Sequence, residues 1–535
     1  MNDNPRMKRQ IAGTIILLAI VVAITVAYFK QLRANGGTTV QLMQAIPNTA
    51  ALVFEFDNDK GFYDLFAGNP VFDAVVGKSK IESLNALCNN VLQHPSLKPF
   101  FDQQHVFLSV HGQKGDSVNF LITVAAKQTP KGDLSDLLTG LNNRTLSTKK
   151  STANGVDFYD IYLISLKKHF YVADAGQHIL SGSFSKELVQ QSAAWKPQKD
   201  SQDFVLIPDK QNHNSLANLY VNYAQLTPLF DQLFDEPNTG IFRSFRMMPA
   251  MATLTLNYKT DALMFNGYSN LAPKASSYLT LFKDQQPVNT HLADVYPSTT
   301  AYATAFAVSN PKHFIGSLTD FQQKAGIGQE EDDAYTKIKN ETGVQINTEF
   351  HALMGNEFGV VVTRYDERYG IIMMKDGSAL RPLLVNISNM VTDDIGQFKY
   401  EKLPFYLLGD VFSLLKRPYF MILNNYLILA NSEKELHSYK DSYENQKLIT
   451  KTQAYNEFDS HLPERSNVAF FLQFKNIFPI LKRDLKSAFK DDVDPDQKKW
   501  GQFYGLSYQL SATEGNFYTN FYMRLSKVDT TGTDN

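Results

Sequence analysis

Between Ile11 and Phe29 the chain runs for 19 residues without a charge, mostly Ile, Leu, Val and Ala. At 1.5 Å per residue, a helix of that length spans a hydrocarbon core of about 30 Å. No later stretch is comparably long and apolar. The sequence therefore predicts a single-pass membrane protein: residues 1–10 a cytoplasmic tail, 11–29 a transmembrane helix, 30–45 a linker through Gly36-Gly37-Thr38-Thr39, and the bulk outside the cytoplasm. A cleaved signal peptide has a shorter apolar run, about 7–15 residues, and a small-x-small site, which does not follow Tyr28-Phe29-Lys30. Arg6, Lys8 and Arg9 before the span, against Lys30 and Arg33 after it, set the N-terminus in the cytoplasm.

The rest of the 535 residues suffices for about two to four domains. The formal net charge is -2, and residues 1–10 carry a net +2, so the remainder stands at -4. With no basic surplus to neutralise phosphates, the sequence predicts no nucleic-acid partner. Cys88 is the single cysteine, which excludes an intramolecular disulfide and any thiolate-rich zinc site. It lies among Ile81, Leu84, Leu87, Val91 and Leu92, a helical apolar stripe, and reads as a packed residue instead of a nucleophile. The 38 Phe and 26 Tyr favour β-rich structure, where flat rings pack well on a pleated surface.

Two stretches about 250 residues apart repeat one pattern. Pro47-Asn48-Thr49-Ala50 opens a run in which Leu52, Phe54 and Phe56 alternate, and Pro297-Ser298-Thr299-Thr300 opens one in which Tyr302, Thr304, Phe306 and Val308 alternate. Asn310-Pro311 then supplies a helix cap and first-turn proline. Hairpins follow, around Gly112-Gln113-Lys114-Gly115 and around Tyr365-Asp366-Glu367-Arg368. Leu134, Leu137, Leu138 and Leu141 correspond to Leu380, Leu383, Leu384 and Ile387 at a constant shift of 246, each set on one helical face. Lys186-Glu187-Leu188 corresponds to Lys434-Glu435-Leu436 at a shift of 248, and Leu219–Tyr223 before Pro228 to Phe470–Phe474 before Pro479. Hairpins at Leu254–Tyr268 and Leu506–Leu525 close the two stretches. The expected fold class is α+β: two similar halves on antiparallel sheets, 46–271 and 297–527, joined by 272–296 and ending in a disordered tail, 528–535.

Local signatures of catalysis and of cofactor binding are absent: no phosphate-binding glycine loop, no dinucleotide fingerprint, no nucleophile elbow and no His-Glu-x-x-His. No catalytic, cofactor or metal residue is therefore assigned. His105 and His111 are not at a chelating spacing and read as solvated or core histidines. Asp492, Asp494 and Asp496 fit positions 1, 3 and 5 of a calcium loop, but Gln497 stands where the turn needs Gly and Phe503 where a bidentate Glu belongs. The Glu330-Glu331-Asp332-Asp333 run reads as a solvated loop or helix start. Asn143-Arg144-Thr145, Asn340-Glu341-Thr342 and Asn386-Ile387-Ser388 fit the glycosylation tripeptide.

The apolar anchor, the entry strand Ile46-Pro47-Asn48-Thr49-Ala50-Ala51-Leu52-Val53-Phe54-Glu55-Phe56 and the Phe-rich hairpins resemble a family of uncharacterised bacterial envelope proteins grouped as a domain of unknown function. The resemblance implies a bacterial inner-membrane protein facing the periplasm, and it carries no catalytic residues to transfer. The expected function is membrane-anchored, extracytoplasmic binding or scaffolding of an envelope protein or apolar ligand, with an aromatic-lined groove where a sheet is incompletely covered. The alternative is an envelope hydrolase whose site converges from distant loops.

Overall fold

The computed structural model describes residues 41–526 apart from several stretches, of which the longest are 195–214, 236–249 and 491–499. The membrane span expected at 11–29 and the tails at 1–10 and 528–535 lie outside the described residues, among which no helix is long and apolar enough to cross a membrane.

The fold is α+β, built on one large antiparallel sheet. In chain order its strands are β1 (Ala50–Asp57), β2 (His105–Gln113), β3 (Ser117–Ala125), β4 (Leu146–Ala153), β5 (Val156–Leu163), β6 (Lys168–Asp174), β7 (Ile179–Ser183), β8 (Ala217–Asn222), β9 (Ala250–Tyr258) and β10 (Ala262–Leu271). After the short β11 (Val288–Asn289) come β12 (Thr300–Ala307), β13 (Met354–Thr363), β14 (Arg368–Met374), β15 (Ser388–Met390), β16 (Gly396–Phe398), β17 (Tyr419–Leu423) and β18 (Tyr426–Ala430). A short β19 (Arg465–Ser466) pairs with β11, and β20 (Val468–Gln473), β21 (Phe503–Thr513) and β22 (Asn516–Leu525) complete the set. The pairings run β4–β5–β6–β7–β3–β2–β1–β8–β9–β10, then β22–β21–β20–β12–β13–β14–β18–β17–β16–β15, so 20 strands form one sheet with β10 against β22 in the middle.

Alternation along each strand divides the sheet into two faces. Leu254, Leu256, Phe265, Leu510, Phe517 and Met523 point into the largest core, together with Phe314, Phe350, Leu384 and Phe474 from helices that cover this face. On the other face Tyr369, Ile371, Ile428 and Tyr522 are covered by the helices Glu433–Glu444 and Gln453–Asp459, through Leu436, Tyr439 and Phe458. Each such apolar side chain contributes about 1.5–3 kcal/mol by leaving water. Local chemistry sets the helix ends. Asn310 accepts from the His313 N–H at 3.1 Å ahead of Pro311, and Asp376 accepts from the Ser378 and Ala379 N–H groups at 2.9 and 3.1 Å. Gly343, at φ 77°, ends the helix Gly328–Thr342 in the left-handed conformation that other residues adopt at a cost.

Two stretches expected to be connections are packed. The last residues of the 30–45 linker are helical over 41–44, and Leu42 and Met43 are buried with Val53, Phe107 and Tyr220 against the first part of the sheet. Too few residues are involved to show a periodic pattern, so no helical signal stands out there. Between 272 and 296, Tyr278, Leu279 and Phe282 enter the main core on a 3₁₀ turn, where Phe282 stacks on Phe306 at 5.4 Å.

Candidate functional site

The helix Phe474–Asp484 buries Phe474, Ile477, Phe478, Ile480 and Leu481 and leaves Lys475, Pro479 and Lys482 along its outer side. Lys475 and Lys482 are seven residues apart, two turns, so both ammonium groups rise from one side of the helix. Pro479 between them has no N–H to give to the Lys475 carbonyl four residues earlier. Opposite stands the helix Gln453–Asp459, started by Thr452, whose hydroxyl accepts from the Tyr455 N–H at 3.4 Å. The ends of β20, β21 and β22 close the space behind.

Together these elements line a half-open cleft of about 940 Å³, with Thr452, Gln453 and Glu457 from one helix, Lys475, Phe478, Pro479 and Lys482 from the other, and Gln473, Phe503, Tyr504, Arg524 and Leu525 from the strand ends. The size suits one medium-sized ligand. Its cations differ in commitment. Arg524 is nearly buried, bonded to Asp261 at 3.3 Å and to the Glu457 carbonyl at 3.1 Å, with the Glu457 carboxylate 3.9 Å away. Lys475 and Lys482 are exposed and form no ion pair among the described residues. With Glu457 the single acid, three cations face one anion over an apolar floor of Phe478, Phe503 and Leu525. Such a site attracts an anionic group to its rim and an apolar body to its floor.

Two polar clusters lie elsewhere. His111 is fully buried, its Nδ1 2.9 Å from the Thr49 hydroxyl and its Nε2 2.9 Å from the Ser109 hydroxyl. Burial holds its pKa down at about 3, so the ring is neutral. Ser109 and His111 are both fully buried, so their contact satisfies polar groups inside the protein. Glu55, also buried, accepts from the Tyr220 hydroxyl at 2.6 Å and the Asn218 amide at 3.1 Å. His105 on the same face sits 2.8 Å from Asp57 and 3.7 Å from Glu55, and the Asp57 hydrogen bond raises its pKa.

The other residues singled out from sequence are dispersed. Cys88 lies in a π-helical turn, partly exposed, and burial pushes its thiol pKa up. Glu330 accepts from Lys402 at 2.7 Å and the Tyr406 hydroxyl at 2.8 Å, which hold its carboxyl below the usual range. Its neighbour Glu331 is buried and shifted upward by that burial. Asn143, Asn340 and Asn386 are exposed. Asp492, Asp494 and Asp496 lie outside the described residues, while Phe503 is part of the cavity floor. Among the described residues no group of His, Cys, Asp and Glu could hold a metal ion. The cavity residues carried one sequence signal, two lysines at helical spacing beside a proline, but its far wall comes from a separate segment. Comparison with protein-family models, with curated proteins and with solved structures finds no match.

Proposed function

We propose that this chain is a single-pass binding protein of the bacterial cell envelope, anchored through residues 11–29, whose ectodomain holds an anionic amphipathic ligand between the helices Gln453–Asp459 and Phe474–Asp484. The observation carrying the ligand class is the pair Lys475 and Lys482, which form no ion pair among the described residues, above the apolar floor of Phe478, Phe503 and Leu525. The anchoring rests on the uncharged run from Ile11 to Phe29 and on the resemblance of the entry strand to envelope proteins. The full chain in lipid nanodiscs, titrated with a dansyl-labelled medium-chain fatty acid, tests the reading. Saturable binding should weaken by about tenfold or more in Lys475→Glu/Lys482→Glu, and the uncharged methyl ester should bind less tightly than the acid. Equal binding of acid and ester, or an unchanged affinity in the double variant, overturns it. Turnover of the ester would instead favour the envelope hydrolase.

The same reading takes the ectodomain as a duplicated unit, residues 46–271 and 297–527. Support comes from strand order: β4–β5–β6–β7–β3–β2–β1–β8–β9–β10 on one side has the same sequence of chain ranks as β15–β16–β17–β18–β14–β13–β12–β20–β21–β22 on the other. A register shift between Ala50 and Leu52 opposite His111 and Val110 has a counterpart between Thr300 and Tyr302 opposite Thr363 and Val362. The helices Tyr223–Leu233 and Phe474–Asp484 both have 11 residues and an internal proline, Pro228 and Pro479. On this reading the cationic cavity belongs to the second unit alone, because Lys475 and Lys482 correspond to Ala224 and Asp231.

A further inference from the structure

The middle of the sheet has a second kind of surface. On the face of β9, β10, β22 and β21 turned away from the main core, Arg524, at one end, is the sole charged side chain within these strands. The remaining positions are mostly Asn, Gln, Thr, Ser and Tyr. Asn257 donates its amide N–H to the Asn266 side-chain oxygen, and Asn266 in turn donates to the Asn520 oxygen, a ladder across three neighbouring strands. Each primary amide has two N–H donors and two lone-pair directions on its oxygen, so Asn257 and Asn266, the two amides of the ladder that are not buried, keep others for a ligand. Asn257 is exposed and Asn266 half-buried. Beside the ladder Tyr268 is 57% and Tyr518 37% exposed, their ring centroids 5.4 Å apart and the planes tilted by 77°.

We propose that this central face binds a neutral oligosaccharide. Sugar hydroxyls donate and accept at once, as do the amides and hydroxyls of the ladder, and the C–H face of a pyranose ring stacks on an exposed tyrosine. Competing occupants fit less well. A polyanion requires several cations, and within these strands this face offers Arg524 alone, already paired with Asp261. An extended peptide adds to a free strand edge, whereas each of these four strands is paired on both sides. A lipid chain requires continuous apolar surface, which the amide ladder interrupts. The inference rests on side chains separate from Lys475 and Lys482 and stands independently of the cavity.

The full chain in nanodiscs of synthetic phospholipid, titrated calorimetrically with chitotetraose, cellotetraose and maltotetraose, tests it. Saturable binding of at least one is expected. Tyr268→Ala and Tyr518→Ala should each weaken it by about tenfold or more at an unchanged thermal midpoint, with Tyr268→Phe retaining it. Tyr365→Ala, a control at a more exposed tyrosine, and Lys475→Glu should leave it intact. The proposal is overturned if none of the three saturates by about 10 mM, a free energy too small for recognition. It is equally overturned if the tyrosine variants bind like the parent, or if sedimentation shows that the face joins two copies in a dimer lost in Tyr268→Ala.

Discussion

Phe234 and Leu485 face each other in an isolated antiparallel bridge at the ends of two helices 251 residues apart in sequence. The bridge is reciprocal: Asp235 N–H donates to the Asp484 carbonyl at 2.9 Å, and Lys486 N–H to the Leu233 carbonyl at 3.0 Å. Both residues are also buried in the main core. With β10 against β22, the bridge gives the 46–271 and 297–526 parts two separate backbone links, so they share one sheet and one core.

That sharing bears on the response to cavities. Leu138 and Leu384 are each about 1% exposed, on helices that precede β4 and β15, but Leu138 lies in a separate cluster with Leu146, Ile161 and Phe170 while Leu384 belongs to the main core. Leu138→Ala and Leu384→Ala should each cost about 2–5 kcal/mol in urea unfolding followed by circular dichroism. A loss below about 1 kcal/mol at either site contradicts the packing described.

His111 makes stability pH-dependent. Its folded pKa, about 3, lies below its ordinary value of 6.5, so the unfolded chain takes up a proton that the folded chain refuses across that interval. The contribution is fully present above pH 6.5 and is lost as the pH falls toward 3, by up to about 1.4 kcal/mol per unit. The carboxyls of Glu331, Glu357, Glu435 and Asp459, raised by burial, act in the opposite sense. The measurement is therefore the difference between the parent and His111→Gln, which keeps polar contacts to Thr49 and Ser109. The parent's advantage should shrink steadily from pH 7 to pH 4, and parallel curves would exclude His111 as the cause.

Cys88 should be slow to alkylate in the folded chain. Burial raises its thiol pKa, with a smaller opposing effect from a hydrogen bond to Tyr63, and the thiolate is the reactive form. At pH 8, iodoacetamide should modify it at least about fivefold more slowly in buffer than in urea. Equal rates would show an open, ionised thiol.

Much of the strand pattern is legible in sequence because a half-buried strand must alternate: Leu52, Phe54 and Phe56, or Tyr302, Thr304 and Phe306, leave that trace. Helix starts at Asn310-Pro311 and Asp376 are legible for the same local reason, a side chain that caps free N–H groups. Pairing between distant strands leaves no such trace. Nothing around Asn266 announces Asn520 as its partner 254 residues on, so the sequence alone does not distinguish one sheet from two. The cavity shares this difficulty, since Lys475 and Lys482 are visible as a helical pair while Glu457 and Phe503 are brought to them by tertiary packing alone.

The proposed anchoring through residues 11–29 has a mechanical corollary, because the folded body begins soon after the expected span. Leu42 and Met43 are buried beside Phe107 and Tyr220, and the Ser192 hydroxyl donates to the Ala45 carbonyl at 2.9 Å, so the chain is gripped from residue 42 onward. Eleven residues, 30 to 40, can span at most about 40 Å, so under the proposed anchoring the folded body stays close to the bilayer surface. A C-terminal alkaline phosphatase fusion should be active and a C-terminal green fluorescent protein fusion exported through the same route dark, as expected for a C-terminus outside the cytoplasm. The reverse pattern inverts the topology, and a mature N-terminus near residue 35 shows cleavage in place of anchoring. Inserting a Gly/Ser segment between Gly36 and Gly37 should leave stability unchanged, since it lengthens the tether before the gripped residues. Leu42→Asp buries a charge without a partner among apolar side chains, and it should lower the thermal midpoint by several degrees and expose the 41–46 segment to protease. An unchanged midpoint in Leu42→Asp would show that this segment is not held as described.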